Sequence, residues 1–197
     1  MALLRAHGLT RRPFFEARDL EVARGEIVAL AGPSGSGKTL FLRALADLDP
    51  VDEGTVELEG RPREDWAPTL WRARVLYVHQ TGVRLCGTVR ENLERVAALA
   101  LHEERDGTVP PVPDLHDAAD ADRLSGGEAQ ALALHRALWL RPEVLLLDES
   151  TSALDPDRAA FWEGRVRAWV DEGHAAVWVA HDPNLPQRVG ARRERFP

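Results

Sequence analysis

The chain has 197 residues, 44% of them hydrophobic, and a formal net charge of −7. That length suits one domain with a sizeable core, and a mildly acidic balance argues against a nucleic-acid-binding surface. The single cysteine, Cys86, excludes an internal disulfide, and no apolar run approaches the ~20 residues that a bilayer span needs. The opening MALLRAHGLTRR is too short and too broken for a signal peptide, so a cytoplasmic chain is expected.

Residues 3–30 read as β-rich, with alternation in LEVARGEIVAL and a turn at Arg24 and Gly25. Residues 26–31 (EIVALA) form a short apolar run, as a buried parallel strand would. A glycine-rich loop follows at 32–39, then helical spacing over 40–48 and turns at 49–50 and 52–54. A strand is expected over 55–58, a short helix over 64–74 carrying Trp66, Leu70 and Trp71, and a strand over 74–79. A helical stretch at 89–101 leads into 106–122, rich in Pro, Asp and Gly, which reads as an inserted, mainly helical subdomain. The next helix runs from Leu124 to about Leu140, stopped by Arg141 and Pro142. An apolar strand at 144–147 precedes a helix that starts at Asp155-Pro156 and ends at Gly173. Phe161, Trp162, Val166, Trp169 and Val170 are placed on its inner face, and a last buried strand runs over 175–180 to His181. Strands alternating with helices imply a largely parallel α/β sheet.

Three segments carry chemistry. The first is GPSGSGKT, comprising Gly32, Pro33, Ser34, Gly35, Ser36, Gly37, Lys38 and Thr39, and Lys38 is the sole lysine among 25 basic residues. This is a phosphate-binding loop. Glycines allow positive φ, successive N–H groups form an anion nest, and the following helix adds its positive end. Lys38 would reach the β- and γ-phosphates, and the Thr39 hydroxyl would bind Mg²⁺. The second is VLLLDE at 144–149: a buried strand ending in two carboxylates, where ligands of open α/β sheets bind. Asp148 would hold Mg²⁺ through water and Glu149 would act as general base. The third is LSGGEAQ at 124–130, where Ser125, Gly126 and Gly127 open a helix whose free N–H groups again suit an anion, although an ordinary N-cap by Ser125 fits the same start. Two such helix ends with one carboxylate pair make sense if ATP is sandwiched between two copies of the chain.

With these motifs in order, the chain resembles the nucleotide-binding subunit of an ATP-binding-cassette (ABC) transporter over about residues 8–183. GPSGSGKT matches the Walker A loop, Gln80 the Q-loop, LSGGE the family signature, VLLLDE Walker B, SALD at 152–155 the D-loop, and His181 the switch histidine. The resemblance implies a P-loop NTPase fold in a single ABC ATPase domain. Residues 1–80 and 131–197 would form a RecA-like parallel core with an N-terminal antiparallel β region. Residues 81–130 would form a helical signature subdomain. It implies ATP and Mg²⁺ as cofactors, with Gln80 on Mg²⁺ and the γ-phosphate. Ser125, Gly126, Gly127 and Glu128 would meet ATP held by the opposite subunit, Asp155 would cross the seam, and His181 would help Glu149 orient the attacking water. The implied partners are a second copy of the chain and an integral membrane permease that holds it on the inner face of the cell membrane, with no nucleic acid.

There are departures from the family pattern. No aromatic residue occupies 9–13, where one that stacks on adenine is usual, and Phe14 and Phe15 read as core, with Arg11 or Arg12 as the alternative stacking group. Ala131 replaces an arginine and His135 a small residue, the latter read as a packing change. GTVRENL at 87–93 resembles the stretch that lines the groove for a permease coupling helix, and equally suits a helix start capped by Thr88. The short length, RLCGTVRENL and DESTSALD resemble compact ATPase subunits of bacterial metal-export systems, iron exporters among them. Two other readings stay open: a non-transport member of the superfamily acting on nucleic acid or ribosomes, and an inactive regulatory nucleotide-binding module.

Overall fold

A computed structural model describes residues 2–99 and 109–196. The chain opens with β1 (Ala2–Arg11) and β2 (Phe15–Ala23), then β3 (Ile27–Ala31), α1 (Lys38–Leu45), β4 (Glu53–Leu58) and β5 (Arg61–Pro62). It continues through α2 (Pro68–Arg74), β6 (Val75–Val78), α3 (Val89–Ala97), α4 (Gly126–Leu140), β7 (Val144–Asp148) and α5 (Pro156–Asp171). It closes with β8 (Ala175–Val179), α6 (Leu185–Arg188) and β9 (Arg192–Arg195). Two sheets result. One is antiparallel, in the order β2-β1-β4-β5, and the other is parallel, in the order β6-β7-β8-β3-β9. This is the α/β P-loop NTPase architecture expected from the motifs.

Period-two alternation divides the central strands between two cores. Val144 and Leu146 of β7 face α1 and the antiparallel sheet, packing with Leu4, Leu9, Phe41 and Leu45. Leu145 and Leu147 face the other side, with Leu132 and Leu134 of α4 and Trp162 and Val166 of α5. Every residue of β7 is buried, as a strand covered on both faces requires. Strand β9 is a departure from expectation, because its RRER sequence has no apolar pattern. It joins the exposed edge beside β3, where backbone pairing alone suffices, and Phe196 N then donates to Ala31 O at 2.7 Å. Phe196 packs against Phe15 and Phe41, with ring centroids 6.2 and 5.3 Å away.

Other expectations need adjusting. Phe161 is 45% exposed, because the buried stripe of α5 runs through Trp162, Val166, Trp169 and Val170 and leaves its neighbour one step off that face. The helix expected at 64–74 starts only at Pro68, after a 3₁₀ turn at Arg63–Asp65. The helix expected to reach residue 101 ends at Ala97, and residues 100–108 lie outside the described residues. Among the described residues of 81–130, α3 and the start of α4 are the α-helical parts. The turns there are pinned by a bridge between Thr88 and Asp120.

Two contacts on the antiparallel side generate stability predictions. Trp71 is fully buried and its Nε1 donates to Leu45 O at 2.9 Å, satisfying a carbonyl at the end of α1. Trp71→Ala should cost about 3–5 kcal/mol, and Trp71→Phe, which keeps most of the ring but orphans that carbonyl, about 1–3 kcal/mol, read from urea unfolding midpoints. Asp49 accepts from Arg43 Nε and Nη2, both at 2.8 Å, and from Arg11 Nη1 at 2.6 Å. The Arg43 bonds, with help from Arg11, hold its carboxyl down from 3.8 to about 2. A depressed folded-state value means that the stabilisation is present above the unfolded value and lost as pH falls through the folded one. The stability gap between wild type and Asp49→Asn should therefore be constant well above pH 3.8, narrow as pH falls through 3.8, and be mostly lost by about pH 2, followed by acid titration of the unfolding free energy.

Candidate active site

The glycine-rich loop joins the end of β3 to the start of α1. Gly35 (φ 78°) and Gly37 (φ 94°) take left-handed conformations there. A Cβ on Gly37 would stand 2.8 Å from Phe14 O, and one on Gly32 would collide with the Phe196 carbonyl, so this loop is pressed between two neighbouring backbones. Helix α1 has no side-chain N-cap bond, unlike α4 and α5, so its first N–H groups remain available to an anion. Lys38 is buried, and its Nζ donates to Gly32 O at 2.9 Å and Pro33 O at 2.7 Å. An ammonium has three donors, so one is left for a ligand. The Ser36 hydroxyl is buried without a partner in the same loop.

Strand β7 delivers the carboxylates beside this loop. Asp148 is buried, and its Oδ1 accepts from the Thr39 hydroxyl at 3.2 Å and its Oδ2 from the Tyr77 hydroxyl at 2.8 Å. Burial, then the bond to Asp148, pushes the Tyr77 phenol well above its ordinary range, so it stays a neutral donor. Glu149 leaves the strand at φ 48°, in the left-handed region, while its N–H still donates to Val179 O at 2.8 Å. A non-glycine residue held there is strained, and such strain gathers at functional sites. The Glu149 carboxylate is bracketed: Gln80 Nε2 donates to Oε2 at 2.8 Å, and His181 Nε2 lies 2.8 Å from Oε1. A cleft of ≈ 220 Å³ is lined by Ser34, Gly35, Lys38, Thr39, Glu149 and His181, among others.

The signature segment sits elsewhere. Ser125 caps α4 in a capping box, accepting from Glu128 N at 3.3 Å while Glu128 Oε2 accepts from Ser125 N at 2.8 Å. The Ser125 side chain, then its backbone N–H, hold the Glu128 carboxyl below its usual range. Ser125 and Gly126 are exposed, and a Cβ on Gly127 would press to 2.7 Å from Ala153 O. Asp155 is exposed and caps α5 by accepting from Arg158 N at 3.0 Å. Neither the tip at 125–128 nor Asp155 lines the cleft of its own chain.

Three contributors were not anticipated. Tyr77 had no motif to mark it, and its role follows from β6 lying beside β7 in register. Gln130 is buried, and its Nε2 reaches Gln80 O at 2.6 Å, Glu149 O at 3.2 Å and Ser152 Oγ at 3.3 Å, while its Oε1 accepts from Ala153 N at 2.9 Å. Its signal was a lone amide on an otherwise apolar stretch of helix. Phe14 was placed in the core but is 49% exposed, because the β1–β2 turn projects it beside the loop while Phe15 turns inward. Arg11 and Arg12, offered as stacking groups, are engaged by Asp49 and Glu53, and the Arg11 guanidinium lies 5.4 Å from the Phe14 ring centroid. His135 is a packing residue as expected, buried with Nε2 2.8 Å from Pro110 O and its ring edge-on to Trp162.

A family model described as "ABC transporter" matches residues 15–152. The "Probable anion import ATP-binding protein" of Haloferax volcanii is 38% identical, aligning 94% of this chain with 73% of its own length. The "Phosphate import ATP-binding protein PstB 2" of Natronomonas pharaonis is 35% identical over 95% of this chain and 72% of its length. Among solved structures, a dimeric ATP-binding cassette in a post-hydrolysis state bound to ADP and Pi superposes with a TM-score of 0.82 at 25% identity, covering 98% of this chain and 94% of that one. The cradle, the carboxylate pair and these likenesses agree: the chain belongs to the ABC transporter family as its nucleotide-binding domain, an ATPase.

Proposed function

We propose that two copies of this chain close around two ATP–Mg²⁺ and that hydrolysis drives a separate integral membrane permease. The observation that carries this reading is the division of the site. The cradle, Glu149 and His181 share one cleft, with Gln80 and Asp148 bonded to its residues, whereas the exposed Ser125 and Gly126, the half-buried Gly127 and the exposed Asp155 stand outside it. An interface between two chains would let both sets meet one nucleotide. The relatives and the dimeric cassette named above support it by likeness.

The donors suit a hard cation. The Thr39 hydroxyl and the Asp148 carboxylate converge at 3.2 Å, and among the described residues no cluster of three His, Cys, Asp or Glu competes for a metal. Thr39 and Asp148, with Gln80, would hold Mg²⁺, which when bound offsets phosphate charge. Lys38 and the loop N–H groups bind and orient the phosphates. Glu149 accepts the proton of the attacking water, and His181 and Gln80 hold its carboxylate in place. Phe14, exposed at the cradle's edge, is the better-placed platform for adenine. This complete hydrolytic set disfavours an inactive regulatory module.

A groove of ≈ 420 Å³ lined by Tyr77, His79, Val83, Leu85, Val96 and Ala137 would receive a permease helix, with Val83 54% exposed on its wall. No helix among the described residues is long and apolar enough to cross a membrane, so the permease would hold the chain on the inner face of the membrane. Cargo selectivity would then lie in the permease.

Glu149→Gln should lower turnover at least ~10²-fold while retaining ATP binding, and should accumulate as an ATP-bound dimer. Phosphate release and sedimentation velocity check this, and a variant that stays monomeric with ATP and Mg²⁺ would count against the sandwich. Lys38→Ala and Ser125→Arg should each be inactive alone but recover activity when mixed. A heterodimer then holds one site with both the intact lysine and the intact serine. Absence of recovery, with mixed dimers demonstrated, would show that the two residues do not serve one nucleotide in trans.

A further inference from the structure

Helix α5 carries a carboxylate that phosphate binding does not use. Glu163 is 3% exposed, in a helix face otherwise built from tryptophan and valine. A buried carboxylate persists only when paired and fully hydrogen-bonded. Arg188, at the end of α6, supplies that pairing with two parallel bonds, Nε to Oε2 at 2.7 Å and Nη2 to Oε1 at 2.8 Å. Its third arm, Nη1, donates to Asp182 Oδ2 at 2.6 Å. Asp182 Oδ1 in turn accepts from Asn184 N at 2.9 Å, which folds the loop between β8 and α6 onto itself. Leu185 and Val189, each 1% exposed, anchor α6 in the core.

Asp182 directly follows His181. The His181 side chain is 62% exposed, so packing does little to aim it at Glu149 Oε1, 2.8 Å away. Its direction is set mainly by the backbone of its loop, and that loop is tied to α5 through Asp182 and Arg188. Glu149, His181, Asp182, Glu163 and Arg188 all line one cavity of ≈ 460 Å³, together with Pro156 and Ala159 of α5. The cap of α5, Asp155, begins the same helix two turns before Glu163.

We infer that Arg188 is a positioning residue for hydrolysis, which clamps the His181 loop to Glu163 so that movement of α5 at its Asp155 end is felt by the imidazole facing the catalytic carboxylate. The inference rests on His181 and Glu149 acting on the water. A staple serving only the fold would make the same contacts, so the test separates the two. Replacing Arg188 alone would strand a buried charge, so the informative variant is Arg188→Met with Glu163→Met, which substitutes apolar side chains of similar length. Its thermal midpoint should stay near that of wild type, its KM for ATP should be unchanged, and its kcat should fall about ten-fold. Asp182→Asn leaves the buried pair intact and weakens only the outer arm, and should lower kcat a few-fold, again at constant KM. Glu149→Gln, run beside them, reports on the hydrolytic reading separately. A folded double variant with wild-type kcat would overturn the inference, as would a change confined to KM. If the double variant does not fold, an Asp182→Asn variant with wild-type kcat overturns it alone.

Discussion

Parallel register at one end of a sheet is the constraint from which the rest follows. Strands β6, β7, β8 and β3 run side by side in the same direction, so their C-terminal ends lie in one row. Gln80 follows the first, Asp148 and Glu149 end the second, His181 follows the third, and the phosphate loop leaves the fourth. Backbone hydrogen bonds therefore bring together residues separated by more than a hundred positions in sequence. The bond from Glu149 N to Val179 O at 2.8 Å extends that pairing one residue past the strand, and so sets the height of Glu149 relative to His181.

Loops hung from such a row need their own restraints. Close packing supplies some: Gly32 sits under the Phe196 carbonyl and Gly37 under Phe14 O, so the cradle has little room to collapse or widen. Buried polar groups supply the others. Gln130 spends both ends of its amide on the Gln80, Glu149 and Ala153 backbone and the Ser152 hydroxyl, which joins the signature helix to the loops after β6 and β7. A satisfied buried amide of this kind specifies one arrangement, because any slip would leave it unpaired. The strained φ of Glu149 is tolerated inside this lattice of contacts.

Charge is used differently in the two halves of the site. Lys38 is held by backbone carbonyls and Asp148 by the Thr39 and Tyr77 hydroxyls, so neither is paired with an opposite charge in these bonds. Asp49 and Glu163 are matched within the fold by arginines, and the Glu128 carboxylate by the Ser125 N–H. Helix ends differ too, since side chains cap α4 and α5 and none caps α1.

The phosphate loop, the strand ending in two carboxylates and the signature helix were recognisable from residue order alone. Each is a local device: glycines for positive φ, an apolar run for a doubly covered strand, a serine and two glycines for a helix start. The parallel core followed from alternating periodicities for the same reason. Tertiary structure decided what depends on neighbours distant in sequence. Tyr77 meets Asp148 only because β6 lies in register with β7, and Phe14 is exposed because the turn before β2 faces outward while Phe15 faces the core. Strand β9 has no apolar pattern, since an exposed edge asks only for backbone pairing. The bridge from Glu163 through Arg188 to Asp182 joins two helices and a loop, and a charged residue in sequence does not reveal which partner its burial will demand.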